Sequence, residues 1–260
     1  MVFTDLDGTL IDHDTYDWAP ALPALNALQE VAAGLVLASS KTAAEIAPLR
    51  AELGAAQWPA IVENGAGDLP PHEKQTPGAA DYTKIRAALD RLPSGLRQHF
   101  CGFGDVSVAE VAAMTGLAVD AAALAQQRQF SEPGQWSGTE DQRDAFLEAL
   151  STDGVTAKQG GRFLTLSLGH DKVDQMRRII AAYDPRHVIA LGDAPNDIAM
   201  LEAADLGIIV ANPARAPLPR LKTEDAGRII RTQDAGPLGW NRAIHTVLDR
   251  LEQSRTLSHG

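Results

Sequence analysis

The chain has 260 residues, of which 45% are hydrophobic, and its formal net charge is −11 at pH 7. This length suits one large domain or a core with a smaller second domain, and the apolar content is enough to bury a sizeable core. The acidic balance argues against a nucleic-acid partner, because phosphate backbones require a basic surface. The single cysteine, Cys101, excludes an internal disulfide and is typical of a reducing compartment.

The N-terminal sequence lacks the basic and apolar regions of a signal peptide. No stretch approaches the roughly 18 apolar residues that a membrane span requires. We therefore expect a cytoplasmic protein that contacts neither membranes nor nucleic acid.

The first third of the sequence alternates between strand and helix patterns. Strands are predicted over Val2–Thr4, Leu35–Ala38 and Ala60–Val62, and helices over Pro20–Ala32 and from Thr42 to about Leu53. Thr42 and Glu45 form a capping-box pattern at the start of the second helix. Such alternation predicts a parallel sheet with helices on both faces, and ligands of these sheets bind beyond the carboxyl ends of the strands. Asp5, Ser39 and Glu63 all fall at such ends.

The middle of the chain has a different character. Leu69–Thr76 is rich in proline and charge, as in a linker. Helices are predicted over Asp81–Leu92, Val106–Met114 and Asp120–Gln127, and strands over Arg128–Glu132, Val155–Gln159 and Arg162–Leu168. This mixture predicts a separate α+β module over residues 78–168.

The alternating pattern resumes at Lys172. The predicted elements are a helix to Tyr183, a strand over Val188–Leu191, a helix over Asn196–Ala203, a strand over Leu206–Val210 and a helix over Gly239–Leu251. The fold class is therefore α/β, with a Rossmann-like parallel-sheet core over residues 1–77 and 169–260 and the α+β module inserted into it.

Two acidic motifs follow predicted strands. Asp5-Leu6-Asp7-Gly8-Thr9 comes after the first strand, and Gly192-Asp193-Ala194-Pro195-Asn196-Asp197 comes after the strand ending at Leu191. Two carboxylates at a strand end can share one divalent cation, and hard oxygen ligands suit Mg²⁺. An acidic loop and a capped turn are the alternative interpretations of the two motifs taken singly.

With Ser39-Ser40-Lys41-Thr42 and His170-Asp171-Lys172 between them, these motifs resemble the haloacid dehalogenase-like (HAD) phosphatase superfamily. The resemblance implies that Asp5 is the nucleophile, Asp7 the general acid/base, Ser39 a ligand of the phosphoryl oxygens and Lys172 the cation that neutralises charge. It further implies an Mg²⁺ cofactor held by Asp5, by the backbone carbonyl of Asp7 and by Asp193. Asp197 would hold its motif in place or reach the metal through water. The inserted module would be the cap of the Cof-like branch.

A closer resemblance is to the mannosyl-3-phosphoglycerate phosphatase family. It rests on VFTDLDGTLIDHDTY from Val2, on Ser39–Glu45, Glu63–Ala66, Phe130–Pro133 and Gly161–Phe163. One departure is Val173, where a glycine is common. The resemblance implies hydrolysis of mannosyl-3-phosphoglycerate to mannosylglycerate, a compatible solute.

Candidate substrate ligands are Ser40, Lys41, Arg128, Glu132 and Arg162. An arginine can grip a glycerate carboxylate through two hydrogen bonds, and Glu132 could accept sugar hydroxyls. Three alternatives stay open: a phosphatase for glucosyl-3-phosphoglycerate or another sugar phosphate, a phosphomutase, and a non-catalytic binding protein. The partner expected in each case is a small phosphorylated molecule, and the sequence does not define an oligomeric state.

Overall fold

A computed structural model describes residues 1–76 and 78–257, with side chains described as far as residue 253. Over these residues the strands are β1 (Val2–Thr4), β2 (Leu35–Leu37), β3 (Ala60–Val62), β4 (Gly67–Leu69), β5 (Phe100–Gly102), β6 (Ser131–Trp136), β7 (Thr156–Gly160), β8 (Phe163–Ser167), β9 (Ile189–Gly192), β10 (Leu206–Ala211) and β11 (Ile229–Ala235). The helices are α1 (Leu22–Glu30), α2 (Ala43–Glu52), α3 (Ala80–Arg91), α4 (Ser94–Arg97), α5 (Val108–Thr115), α6 (Val119–Ala125), α7 (Glu140–Ser151), α8 (Lys172–Tyr183), α9 (Ile198–Ala203) and α10 (Gly236–Leu257).

The chain divides into two compact units. The first comprises Met1–Ser39, Leu53–Pro59 and Lys172–Gly260, and the second comprises Ser40–Glu52 and Ala60–Asp171. The domain boundaries expected from the sequence remain a prediction, and residue 77, the expected end of the first core segment, lies outside the described residues.

The first unit is built on a parallel sheet with the strand order β11-β10-β9-β1-β2. Strands β1, β2 and β9 are buried along their whole length, as expected for parallel strands covered on both faces. Trp240 of α10 is fully buried and its indole nitrogen donates to Thr4 Oγ1 over 3.0 Å. The α/β fold class predicted from the sequence is confirmed.

The second unit contains a four-stranded antiparallel sheet in the order β5-β6-β8-β7. Its core includes Ile85 and Leu89 of α3, Phe146 of α7, and Phe100 and Leu166 of the sheet. Phe100 and Phe146 stack with ring centroids 5.5 Å apart. This mixture of helices and antiparallel strands agrees with the α+β character expected for the middle of the chain.

Strand β3 pairs differently from the sequence-based expectation. It forms a two-stranded antiparallel sheet with β4, in the register Ala60–Leu69 and Val62–Gly67. The reversal occurs within Glu63-Asn64-Gly65, where three consecutive residues have positive φ angles of 50°, 58° and 90°. These left-handed conformations turn the chain back immediately after β3.

Other elements differ from expectation for local reasons. Strand β6 is an inner strand that starts at Ser131 and contains Pro133-Gly134, a pair that usually marks a turn. Helix α7 was not predicted, although Thr139 and Gln142 form a capping box at its start.

Within the described residues no single helix is long and apolar enough to cross a membrane. In the part of the chain that the structure describes, α5 and α6 taken together, bent by 99°, reach that length and composition.

Candidate active site

The loop after β1 carries the first acidic motif and holds Asp5 at the carboxyl end of that strand, which lies between β9 and β2 in the sheet. The Asp5 amide donates to Leu191 O of β9 over 2.9 Å, which ties the loop to the neighbouring strand. Gly8 has a φ angle of +86°, and its amide donates to Ile11 O over 2.8 Å, so the chain turns back sharply. Asp5 is thus placed at the carboxyl end of β1 with only 7% of its surface exposed.

The second acidic motif forms a tight turn after β9. Asp197 is fully buried, and its Oδ2 accepts the amides of Asp193 (3.1 Å) and Ala194 (3.0 Å). A Cβ atom at Gly192 would lie 2.5 Å from Asp197 Cβ, so only glycine allows this close approach. Asp197 therefore shapes the turn that carries Asp193.

Lys172 joins the two motifs. It is the first residue of α8, it is 1% exposed, and its ammonium donates to Asp5 Oδ1 over 2.6 Å and to Asp197 Oδ1 over 2.7 Å. Burial alone would lower the pKa of Lys172, but the charges of Asp197 and Asp5 outweigh it and raise the pKa above its usual value. Lys172 is consequently a fixed positive charge between two carboxylates.

Asp5 experiences an excess of negative charge. Its burial, together with the charge of Asp197, raises the pKa of Asp5 to about 8, and Lys172 offsets this only in part. Carboxylate oxygens of Asp5, Asp193 and Asp197 all lie within 4.8 Å of one another. Three carboxylates around one ammonium leave a buried cluster with a deficit of positive charge.

This cluster fits a divalent cation on two grounds. The donors are hard carboxylate oxygens, which Mg²⁺ prefers, and two positive charges would balance the deficit. The cluster contains the carboxylates of three predicted metal ligands. Asp7, whose expected contribution includes its backbone carbonyl, is half-buried in the loop after β1 and is not one of the three.

Ser39 lies on the same edge of the parallel sheet as Asp5. Strands β1 and β2 are parallel with Thr4 opposite Leu37, so both chains leave the sheet at neighbouring positions. Ser39 is 1% exposed. This register brings Ser39 to the edge of the sheet where Asp5 lies.

Three further residues surround Asp193 and were not predicted. Thr9 Oγ1 donates to Asp193 Oδ1 over 2.9 Å, and Asn212 Nδ2 donates to Asp193 Oδ2 over 2.8 Å. The guanidinium of Arg215 lies 3.6 Å from the same Oδ2. Asn212 directly follows β10, so the rule that ligand-side residues follow parallel strands could have indicated it.

In the second unit, Arg128 and Glu63 organise the segment that precedes β6. Arg128 Nη1 donates to Ser40 O over 3.0 Å, and its Nε is buried without a hydrogen-bond acceptor among the described residues. Glu63 accepts a hydrogen bond from Ser131 Oγ over 2.7 Å. Its carboxylate also accepts hydrogen bonds from the amides of Gln129 and Phe130. The Lys41 carbonyl accepts the Glu63 amide over 2.9 Å.

The other two candidate substrate ligands occupy different surroundings. Glu132 is fully buried, and its Oε1 accepts Arg86 Nη1 (3.0 Å) and the Gly104 amide (2.8 Å). Arg162 is exposed, and its Nη2 donates to Thr115 O over 2.9 Å. Glu132 is thus held within its own unit by an ion pair, whereas Arg162 lies at the surface of the unit.

The chain is similar to proteins of one superfamily. A model of the haloacid dehalogenase-like hydrolases matches residues 132–218, about a third of the chain. A HAD-superfamily phosphatase from Bacteroides thetaiotaomicron shares 18% identity, with coverage of 94% of this chain and 93% of that chain and a TM-score of 0.64.

Two sugar phosphatases have similar structures. A HAD subclass IIB sugar phosphatase shares 16% identity over 95% of this chain and 98% of that chain, with a TM-score of 0.61. The sucrose-phosphatase of Synechocystis sp. PCC6803, solved with sucrose and phosphate, shares 14% identity over 94% of this chain and 96% of that chain, with a TM-score of 0.60. These similarities, together with the parallel sheet and its inserted α+β region, show that the chain has the fold of the haloacid dehalogenase-like hydrolases.

Proposed function

We propose that this protein is a magnesium-dependent phosphatase that attacks a phosphate monoester with Asp5 and forms an aspartyl-phosphate intermediate. The observation that carries the proposal is the buried cluster in which Lys172 bonds both Asp5 and Asp197 beside Asp193. An ordinary structural ion pair needs one carboxylate per ammonium, whereas this cluster gathers three carboxylates at the ligand-binding edge of the sheet.

The geometry suits phosphoryl transfer. This reaction depends on alignment of the nucleophile and neutralisation of charge more than on any other factor. The Lys172 ammonium, 2.6 Å from Asp5 Oδ1, orients the nucleophile and reduces its repulsion of an incoming phosphate. Asp7 would donate a proton to the leaving alkoxide and then remove one from the attacking water. Ser39 would donate its hydroxyl to the phosphoryl oxygens.

Asp5, Asp193, Asp197 and the Asp7 carbonyl are the groups that we propose as holding Mg²⁺, Asp197 either directly or through water. When bound, the cation would supply positive charge to the transferring phosphoryl group. An aspartate nucleophile divides the hydrolysis into two displacements, each easier than direct attack by water.

We further propose mannosyl-3-phosphoglycerate as the substrate, on the strength of the sequence motifs in both units. The sugar phosphatases of similar structure support a phosphorylated sugar of some kind. Glucosyl-3-phosphoglycerate is the nearest alternative, because the two sugars differ in the orientation of one hydroxyl group. Ser40, Lys41, Arg128, Glu132 and Arg162 remain the candidate substrate ligands, and a cytoplasmic location remains a prediction from the sequence.

A phosphate-release assay tests the proposal. Purified protein with Mg²⁺ should release phosphate from mannosyl-3-phosphoglycerate faster than from glucosyl-3-phosphoglycerate, 3-phosphoglycerate or mannose 6-phosphate. Release without a bisphosphate activator would distinguish a phosphatase from a phosphomutase. If no phosphate ester in the panel is hydrolysed, the phosphatase assignment is wrong; if all are hydrolysed equally, only the substrate assignment is wrong.

A further inference from the structure

We infer that Asn212 is a positioning residue that, together with Thr9, fixes the orientation of the Asp193 carboxylate for a divalent cation. This inference rests on the proposed metal site. Asn212 lies outside both acidic motifs, and Thr9 is the last residue of the first one.

The side-chain amide of Asn212 has a defined orientation. Its Oδ1 accepts the Ala214 amide over 3.0 Å, an interaction that only the oxygen of the side chain can make. The nitrogen Nδ2 must therefore face the other way, where it donates to Asp193 Oδ2 over 2.8 Å. The hydrogen bond to Asp193 thus follows from the fold of the loop after β10.

Thr9 holds the opposite oxygen of the same carboxylate. Its hydroxyl is fully buried and donates to Asp193 Oδ1 over 2.9 Å. Each carboxylate oxygen accepts one of these hydrogen bonds and retains a further lone pair for another partner. Rotation of the Asp193 carboxylate would break both bonds, so its plane is fixed while coordinating capacity remains.

The loop that carries Thr9 is packed directly against Asn212. A Cβ atom on Gly8 would lie 2.2 Å from Asn212 Nδ2 and 3.1 Å from Asp193 Oδ2. The glycine of the first acidic motif therefore leaves the space that Asn212 occupies. This close fit couples the loop after β1, the turn after β9 and the loop after β10 around one carboxylate.

A neutral donor is suited to this position. Residues that orient a metal ligand through hydrogen bonds typically change metal affinity by 10–100-fold when they are removed. Asn212 and Thr9 carry no charge, so they orient Asp193 without adding to the negative charge of the cluster or competing with the cation. Arg215, 3.6 Å from Asp193 Oδ2 and 44% exposed, differs because its positive charge opposes cation binding.

The test is Mg²⁺ binding to Asn212→Ala, measured by titration calorimetry on the metal-stripped full chain. The substitution leaves the charge of the site unchanged, so a weaker affinity reports orientation rather than charge. We expect binding 10–100-fold weaker than that of the wild type. Thr9→Val removes the other hydrogen bond without charge and should weaken binding by a similar factor.

Asn241→Ala is the matched control. Asn241 lies in α10, and its Oδ1 accepts the Ala24 amide over 2.9 Å, as Asn212 Oδ1 accepts that of Ala214. Its Mg²⁺ affinity should equal that of the wild type. Thermal unfolding of each metal-free variant verifies folding, and Thr9→Val decides the question if Asn212→Ala does not fold.

The outcomes separate the two claims. A wild type that binds Mg²⁺ and an Asn212→Ala variant that binds it within twofold of the same affinity would overturn the role of Asn212. A wild type that binds no Mg²⁺ would overturn the proposed metal site itself, and this inference with it. Turnover of Asn212→Ala should recover at saturating Mg²⁺, because a residue that only orients a metal ligand changes metal affinity and not the reaction itself. Failure to recover would contradict a positioning role.

Discussion

The Lys172 ammonium donates to Asp5 Oδ1 over 2.6 Å, although 167 residues separate the two in sequence. Both side chains are buried, and the same ammonium also bonds Asp197. A buried ammonium shared by two carboxylates cannot be removed without leaving negative charge unpaired. Substitution of Lys172 should therefore lower the stability of the protein, whereas a neutral substitution of Asp5 should remove turnover without lowering stability.

Replacing Lys172 by methionine should destabilise the metal-free protein by about 3–5 kcal/mol, because it leaves Asp5 and Asp197 buried without their cation. Urea denaturation of metal-stripped protein measures this loss. Arg177→Met in the same helix is the control, since Arg177 is exposed and its replacement should change the free energy of unfolding by less than about 0.5 kcal/mol. Equal stabilities of the two variants would contradict a buried ion cluster.

Asp5→Asn should abolish turnover without destabilising the protein. The amide has nearly the same shape as the carboxylate, and its oxygen can still accept the hydrogen bond of Lys172, while one repulsive charge is removed. The measurement combines phosphate release with urea denaturation of the same sample. Activity above about a hundredth of the wild-type value, in pure protein, would show that Asp5 is not the nucleophile.

Much of the first unit could be predicted from the sequence, because its strands are continuous apolar runs followed by acidic residues. Such runs indicate buried parallel strands, and the carboxyl-end rule predicted Asp5, Ser39 and Glu63 at the ends of strands of one parallel sheet. The prediction is wrong for Glu63, because β3 lies outside the parallel sheet and pairs antiparallel with β4. Asn212 also follows a parallel strand, β10. Its contact with Asp193 depends on the register of β9 and β10, which no local pattern encodes.

The second unit was less predictable. The pairing of β3 with β4 depends on positive φ angles at Glu63 and Asn64, residues whose types do not require them. Glu132 stays a candidate ligand for sugar hydroxyls, and in the structure it is fully buried and paired with Arg86. The sequence does not show this pairing, because 46 residues separate the two charges.

Removal of the metal should stop turnover and lower stability together. With EDTA the cluster of Asp5, Asp193 and Asp197 lacks its counter-charge, so phosphate release should cease and the unfolding midpoint should fall. Mg²⁺ should restore both, whereas Ca²⁺ should restore stability but not turnover, because its looser coordination misplaces the nucleophile. Full activity in metal-free buffer would contradict the metal site.

Glu63→Ala should destabilise the protein by on the order of 3 kcal/mol, because three donors lose a charged acceptor. Those donors are the amides of Gln129 and Phe130 and the hydroxyl of Ser131. The control is Glu52→Ala, since Glu52 is an exposed residue at the end of α2 and should tolerate the change. A Glu63 variant as stable as the control would show that the carboxylate does not anchor the segment before β6.

Two arginines in different surroundings, Arg128 and Arg162, are the candidates for binding the glycerate carboxylate of the substrate. Arg128 is only 11% exposed and is already oriented by the Ser40 carbonyl, whereas Arg162 is exposed. If either one holds the glycerate carboxylate, its replacement by alanine removes a charge-assisted pair. The transition-state free energy that corresponds to kcat/KM for mannosyl-3-phosphoglycerate should then rise by about 2–4 kcal/mol. The pre-oriented guanidinium of Arg128 loses less entropy on binding, so we expect the larger loss there.

A generic aryl phosphate serves as the internal control for both arginines, because it lacks the carboxylate but undergoes the same reaction at Asp5. Contacts remote from the reacting phosphorus can stabilise the transition state only for a substrate that makes them. Arg128→Ala should therefore hydrolyse the aryl phosphate nearly as fast as the wild type while losing about 30- to 1,000-fold on the glycoside, the factor that 2–4 kcal/mol represents. Equal losses on both substrates would mean that Arg128 supports only the fold.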